Sequence, residues 1–224
     1  MQPPWSGFDP ATCGIPVFTP LTNMKATISI DLKSFGILLL AVTFALAETE
    51  LLERQPRLSK YQDAWKALTV PGRYYLYMRS YKDEPFYGED RKCVYNELIS
   101  VNEEEKYTVN TMGSISVKDG TEKTQTIYAW TSTSEGYTEP NVIHASDSKD
   151  KGFSLEFPIA FSEYENCDIL RVPHRNNACE LWAKEGRIHE IKSLCFYVFH
   201  LLCGPEKYFV YNRDLCRSEK RHCP

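Results

Sequence analysis

The chain of 224 residues has no CxxC pair, no HxxxH or HxH spacing among its five histidines, and no GxSxG or papain-like cysteine context. The first two absences argue against a zinc site, which needs closely spaced thiolates or imidazoles. The third removes the usual settings of an activated nucleophile, which needs a base held by a third group. Acidic residues are plentiful, and a glycosidase-type carboxylate pair stays open because separations are not readable from sequence. No motif selects one, so no enzyme and no cofactor is expected. There is no basic excess either: 26 Lys and Arg stand against 30 Asp and Glu, a formal charge of −4. Phosphate-binding surfaces show the opposite balance, so nucleic acid is not an expected partner, and Arg217, Lys220 and Arg221 read as a solvated tail. No Asn-x-Ser/Thr sequon occurs, so N-glycosylation is not expected. Internal repeats and low-complexity linkers are also missing.

The apolar run Phe35 to Phe44 is too short to cross a bilayer, which takes about twenty residues. With Met24 and Lys25 before it and Ala45-Leu46-Ala47 after it, residues 24–47 read as a secretory signal peptide, with cleavage before Glu48. Residues 1–23 then read as an upstream extension outside the fold. Seven of the eight cysteines follow the expected cleavage point, which suits an oxidising, extracellular compartment. Six cysteines permit fifteen connectivities, and spacing does not choose among them.

What is abundant points to strands. Aromatics make up 13% of the chain, with fourteen tyrosines. After a short helix over Leu58 to Leu68, broken by Pro71-Gly72, eight segments have strand character: Arg73–Tyr81, Lys92–Val101, Lys106–Val117, Thr124–Ser132, Asn141–Ala145, Phe153–Phe157, Asp168–Val172 and Cys179–Ala183. Turn formers such as Lys118-Asp119-Gly120 and Ser134-Glu135-Gly136 separate them. Eight strands at this spacing predict an all-β fold, an eight-stranded antiparallel barrel, which leaves no open edge and has room inside for one small ligand. Ile188, Ile191, Leu194, Cys195, Val198 and Leu202 then recur at helical spacing and predict a C-terminal amphipathic helix on the barrel wall. One domain is expected over residues 48–224.

Two acidic residues on strand-like segments bracketed by cysteines, Asp168 and Glu180, stand out. A carboxylate is costly to bury without a cationic partner, so acids among aromatic strand neighbours can mark a pocket for a small cation; each taken alone is equally well a solvent-facing strand position. The string Cys167-Asp168-Ile169, ten residues, Glu180-Leu181-Trp182, twelve residues and Cys195 resembles the signature of the tick salivary histamine-binding lipocalins. DAWKAL at Asp63–Leu68, YYLY at Tyr74–Tyr77 and YKDEPFYGEDRKC ending at Cys93 resemble the amino-terminal half of that family. The resemblance covers roughly residues 60–216, in the same order.

The resemblance implies a lipocalin barrel that is secreted, monomeric and sequesters histamine or serotonin, blunting host inflammation. It implies the disulfides Cys93–Cys216 and Cys167–Cys195, with Cys179–Cys203 the remaining pair and Cys223 left over. It implies ligand contacts at Tyr81, Glu84 and Tyr87 of YKDEPFYG and at Glu180 of ELW, with Glu84 replacing an Asp and Tyr87 a Trp. An acid expected near Pro158 is missing; either Glu156 takes its place or the amine site is lost. A second, weaker amine pocket would use Asp168 with an acid after DAW, but KALTVPG supplies none, so at most one competent amine site is expected. The family also contains members that bind host proteins, such as complement or platelet factors, or lipid mediators, and either is an alternative here.

Overall fold

The computed structural model describes residues 51–82 and 90–216. The expected signal peptide and extension, Glu84, Tyr87 and Cys223 lie outside the described residues. Eight strands make the barrel: β1 (Arg73–Arg79), β2 (Arg91–Asn102), β3 (Tyr107–Ser116), β4 (Glu122–Ser132), β5 (Val142–Ser146), β6 (Leu155–Ser162), β7 (Cys167–Val172) and β8 (Ala178–Lys184). Each pairs antiparallel with its neighbour in sequence, β8 returns to β1, and β1 pairs with β2, closing the wall. The alternation that predicted the strands sets the faces: Glu180 and Trp182 of β8 face the hollow, while Cys179 and Leu181 pack outward in a core with Phe199.

The seam between β1 and β2 is short, only Arg73 to Tyr75 against Glu97 to Tyr95. Beyond it the two strands diverge, and a ninth strand that the sequence reading did not foresee, β9 (Tyr208–Phe209), pairs with Met78 and Arg79 of β1. Val210 continues the patch, accepting from the Cys93 amide at 3.2 Å and donating to Tyr77 O at 3.0 Å. Cys93–Cys216 staples this segment to β2.

The expected helix over Leu58–Leu68 is two elements, a 3-10 helix (Pro56–Tyr61) and α1 (Ala64–Leu68). Gln62 interrupts because its buried side chain donates to Glu53 O at 2.7 Å and Ala160 O at 3.2 Å. Asp63 then starts α1 as its N-cap, accepting from the Lys66 amide at 2.9 Å. At Pro71-Gly72 the chain turns into β1, with Gly72 at φ +107°, a conformation side chains disfavour.

The C-terminal helix is α2 (Ser193–Cys203), followed later by a short α3 (Arg213–Cys216). The expected apolar stripe needs correcting. Ile188 and Ile191 precede the helix, Leu194 is exposed, and the fully buried positions are Cys195 and Phe199. Two disulfides set this rotation, tying Cys195 to Cys167 of β7 and Cys203 to Cys179 of β8. A third anchor is Arg171 of β7, buried with Glu53. Its Nε and Nη2 donate to the two Glu53 oxygens at 2.5 and 3.1 Å, Nη1 to Asn177 O at 2.7 Å and Nη2 also to Leu202 O at 2.8 Å. One guanidinium thus joins the N-terminal strap, the β7–β8 turn and the end of α2.

Candidate functional site: an acidic hollow inside the barrel

Two hollows meet inside the barrel. One opens toward α1 and encloses about 800 Å³ of atom-free space, its mouth included. Its walls are largely aliphatic, from Leu68, Val70, Leu98, Met112, Ile127, Ile143 and Leu170, with Phe157 and Tyr74 beside them. The other, about 810 Å³ with its mouth, opens at the far end between Tyr81, Gln125, Asp147, Phe153 and His174. Glu180 lines both, as do Met112, Ile127, Ala145 and Phe157.

Period-two alternation brings Glu180 and Trp182 of β8 to one face, and the pairing of β7 with β8 sets Asp168 level with Trp182. Glu180 is 3% exposed and both of its oxygens are engaged. Tyr81 Oη donates to Oε1 at 2.5 Å and Trp182 Nε1 to Oε2 at 2.9 Å. Arg79 stands opposite Glu180 in the β1–β8 register, its guanidinium 5.0 Å above the Tyr81 ring and donating to Lys82 O at 2.8 Å.

Asp168 is held differently. Ser162 Oγ donates to its Oδ1 at 2.5 Å, and the Tyr164 amide donates to Ser162 Oγ at 2.9 Å, leaving the hydroxyl proton for the carboxylate. Tyr74, which lines the same hollow, donates to Tyr164 O. Burial pushes the Asp168 carboxyl up to about 7, against the single opposing hydrogen bond from Ser162. The Tyr74 hydroxyl is pushed well above its ordinary range, first by burial and then by the charges of Asp168 and Glu165. Near neutrality the α1-side hollow therefore holds a carboxyl poised between neutral and charged, which an incoming cation would ionise.

Of the residues expected from sequence, the fold unites Tyr81, Glu180 and Asp168 on the linked hollows. Glu156 is not with them. Its neighbours Leu155 and Phe157 face inward, so Glu156 points out, 60% exposed and 3.9 Å from His144 Nδ1. The segment after DAW contributes Ala67, Leu68, Val70 and Gly72 to the wall beside Asp168, with no acid. Sequence reasoning gave no role to Trp182, although a residue two after Glu180 shares its face, nor to Ser162, Asn96, Asn110 or His174. Among the described residues no cluster of three or more His, Cys, Asp or Glu is placed to hold a metal.

The family model described as tick histamine binding protein matches residues 52–218. The male-specific histamine-binding salivary protein of Rhipicephalus appendiculatus is 26% identical over 164 residues, 70% of this chain and 81% of that protein. The female-specific histamine-binding protein 1 of the same tick is 29% identical over 159 residues, covering 66% and 82%. Among solved structures, japanin from Rhipicephalus appendiculatus bound to cholesterol superposes with a TM-score of 0.51 at 14% identity, covering 66% of this chain and 97% of japanin, a likeness of fold alone. With the barrel, its inward acids and a match across the whole described fold, the chain belongs to the tick histamine-binding protein family.

Proposed function

We propose that this protein is a secreted, monomeric, non-enzymatic scavenger that binds a biogenic amine, histamine or serotonin, inside the barrel and so lowers its concentration at a host feeding site. The supporting observation is that two buried carboxylates, Glu180 and Asp168, face linked hollows of one barrel. An ammonium is the natural partner of such groups, because a buried acid is costly without a cation. Tyr81 and Trp182 brace Glu180 and supply ring faces. A charge-assisted hydrogen bond is worth roughly 1.5–3 kcal/mol. Two of these with ring contacts reach about 8 kcal/mol, a micromolar dissociation constant. Glu84 and Tyr87 belong to this proposal through their places in YKDEPFYG.

Titration of the purified protein with histamine and serotonin by calorimetry tests this. Saturable heat is expected in the micromolar range, and Glu180→Gln should weaken binding about ten- to a hundredfold. No heat at high micromolar ligand would remove the reading. The aliphatic walls of the α1-side hollow favour a second reading, an uncharged lipid mediator. Such a ligand would be indifferent to Glu180→Gln.

A further inference from the structure

Opposite Asp168, three strand steps around the wall by way of β8 and β1, the α1-side hollow holds a chain of polar side chains that the amine reading does not use. Asn96 Nδ2 donates to Asn110 Oδ1 at 3.2 Å, Asn110 Nδ2 donates to Thr108 Oγ1 at 2.8 Å, and Thr108 Oγ1 turns its proton to Ala129 O at 3.4 Å. Thr108 and Asn110 are buried to within 1%. The Thr108 hydroxyl, committed to a backbone carbonyl, gives the chain a direction, and the bonds that the two amides donate run toward Thr108, away from Asn96 Oδ1. That oxygen heads the chain from a residue lining the hollow, and among the described residues no group donates to it. Asp168 Oδ2 on the facing wall likewise receives no donor, its partner atom Oδ1 taking the Ser162 hydroxyl.

Two acceptors left open to an aliphatic room suit a guest with a donor at each end, because each donor that guest buries there then finds a partner. We propose that Asn96 is a specificity-determining residue: its Oδ1 accepts from an O–H or N–H on the ring of an arylalkylamine whose ammonium lies at Asp168. The ligand class is then an amine with a second, ring-borne donor, and the plain aromatic amine is disfavoured. The buried Asn110 and Thr108 are positioning residues that hold Asn96 with its oxygen inward.

This inference rests on the amine reading above, and a pair of probes differing by one hydroxyl separates the two. Calorimetric titration with tyramine and phenethylamine should show tyramine bound about five- to tenfold tighter, the worth of one neutral hydrogen bond. Asn96→Leu should erase that preference by weakening tyramine while leaving phenethylamine unchanged or tighter. Thr108→Val, which takes the acceptor from Asn110 without touching the ligand, should reduce the preference in part, with phenethylamine again unchanged. Equal binding of both amines to the unaltered protein, or binding of neither, would overturn this inference; the amine reading falls as well only if histamine and serotonin also give no heat. Equal losses for the two probes in Asn96→Leu, or a preference for phenethylamine in the unaltered protein, would also overturn the role of Asn96.

Discussion

Asp168 should make the stability of the unliganded protein fall as pH rises toward neutrality. Its carboxyl titrates near 7 in the fold and near 3.9 when unfolded. Between those values the native state holds a proton that the unfolded chain has released, so unfolding free energy declines with increasing pH. Below the lower value both states are protonated, above the upper both are ionised, and the contribution is flat. A gap of roughly three pH units at 1.36 kcal/mol per unit amounts to roughly 4 kcal/mol. Other groups titrate over the same window, so the comparison is with Asp168→Asn, which keeps an acceptor for Ser162 and removes the ionisation. Urea unfolding of both proteins at a series of pH values should show the native protein losing about 4 kcal/mol relative to the variant across that interval. Parallel pH profiles would refute the buried-acid argument. An amine seated at Asp168 reverses the trend, since a neighbouring cation favours the carboxylate. Below neutrality its binding should release a proton, seen as a dependence of the calorimetric heat on the buffer's ionisation enthalpy.

Three further outcomes follow from the scaffold. Glu53→Ala leaves the Arg171 guanidinium buried without its carboxylate, and should lower unfolding free energy by about 3–5 kcal/mol in urea melts. Gly113→Ala drives a methyl into the Tyr95 ring, which is pinned by Arg73 3.9 Å above it and by a 2.6 Å hydrogen bond to Glu122. Overpacking of this kind should cost about 1–3 kcal/mol in the same assay. Replacing Cys93 and Cys216 together by Ser opens a loop of 123 residues, and should lower stability by roughly 2–5 kcal/mol while speeding amide exchange at Val210 and Tyr95.

The barrel is legible because its strands carry their period openly: Tyr74 and Leu76 inward against Tyr75 outward, Glu180 and Trp182 inward against Leu181 outward. What escapes local reading depends on distant partners. Gln62 is a good helix former that breaks a helix only because Glu53 and Ala160 offer carbonyls to its amide. Every turn of α2 is apolar, so periodicity alone could not choose Phe199 over Leu194; the two cystines do. Strand β9 has two residues and exists because β1 and β2 part company. Within the site, the acids are marked by their motif, while Asn96 and Asn110 share the inward face of Leu98 and Met112 by plain alternation and no motif singles them out. Glu156 shows the converse, an acid at a plausible strand position on the wrong side of the period.

The wedge at the β1–β2 seam also constrains the order of events during biosynthesis. The first and second strands are neighbours in sequence, but the gap they leave is sealed by Tyr208 to Val210 and locked by Cys216, more than a hundred residues later. Until those residues have emerged and the last cystine has formed, the nascent barrel has a slit along one side. The capacity to retain a guest thus arrives only with the final stretch of the fold.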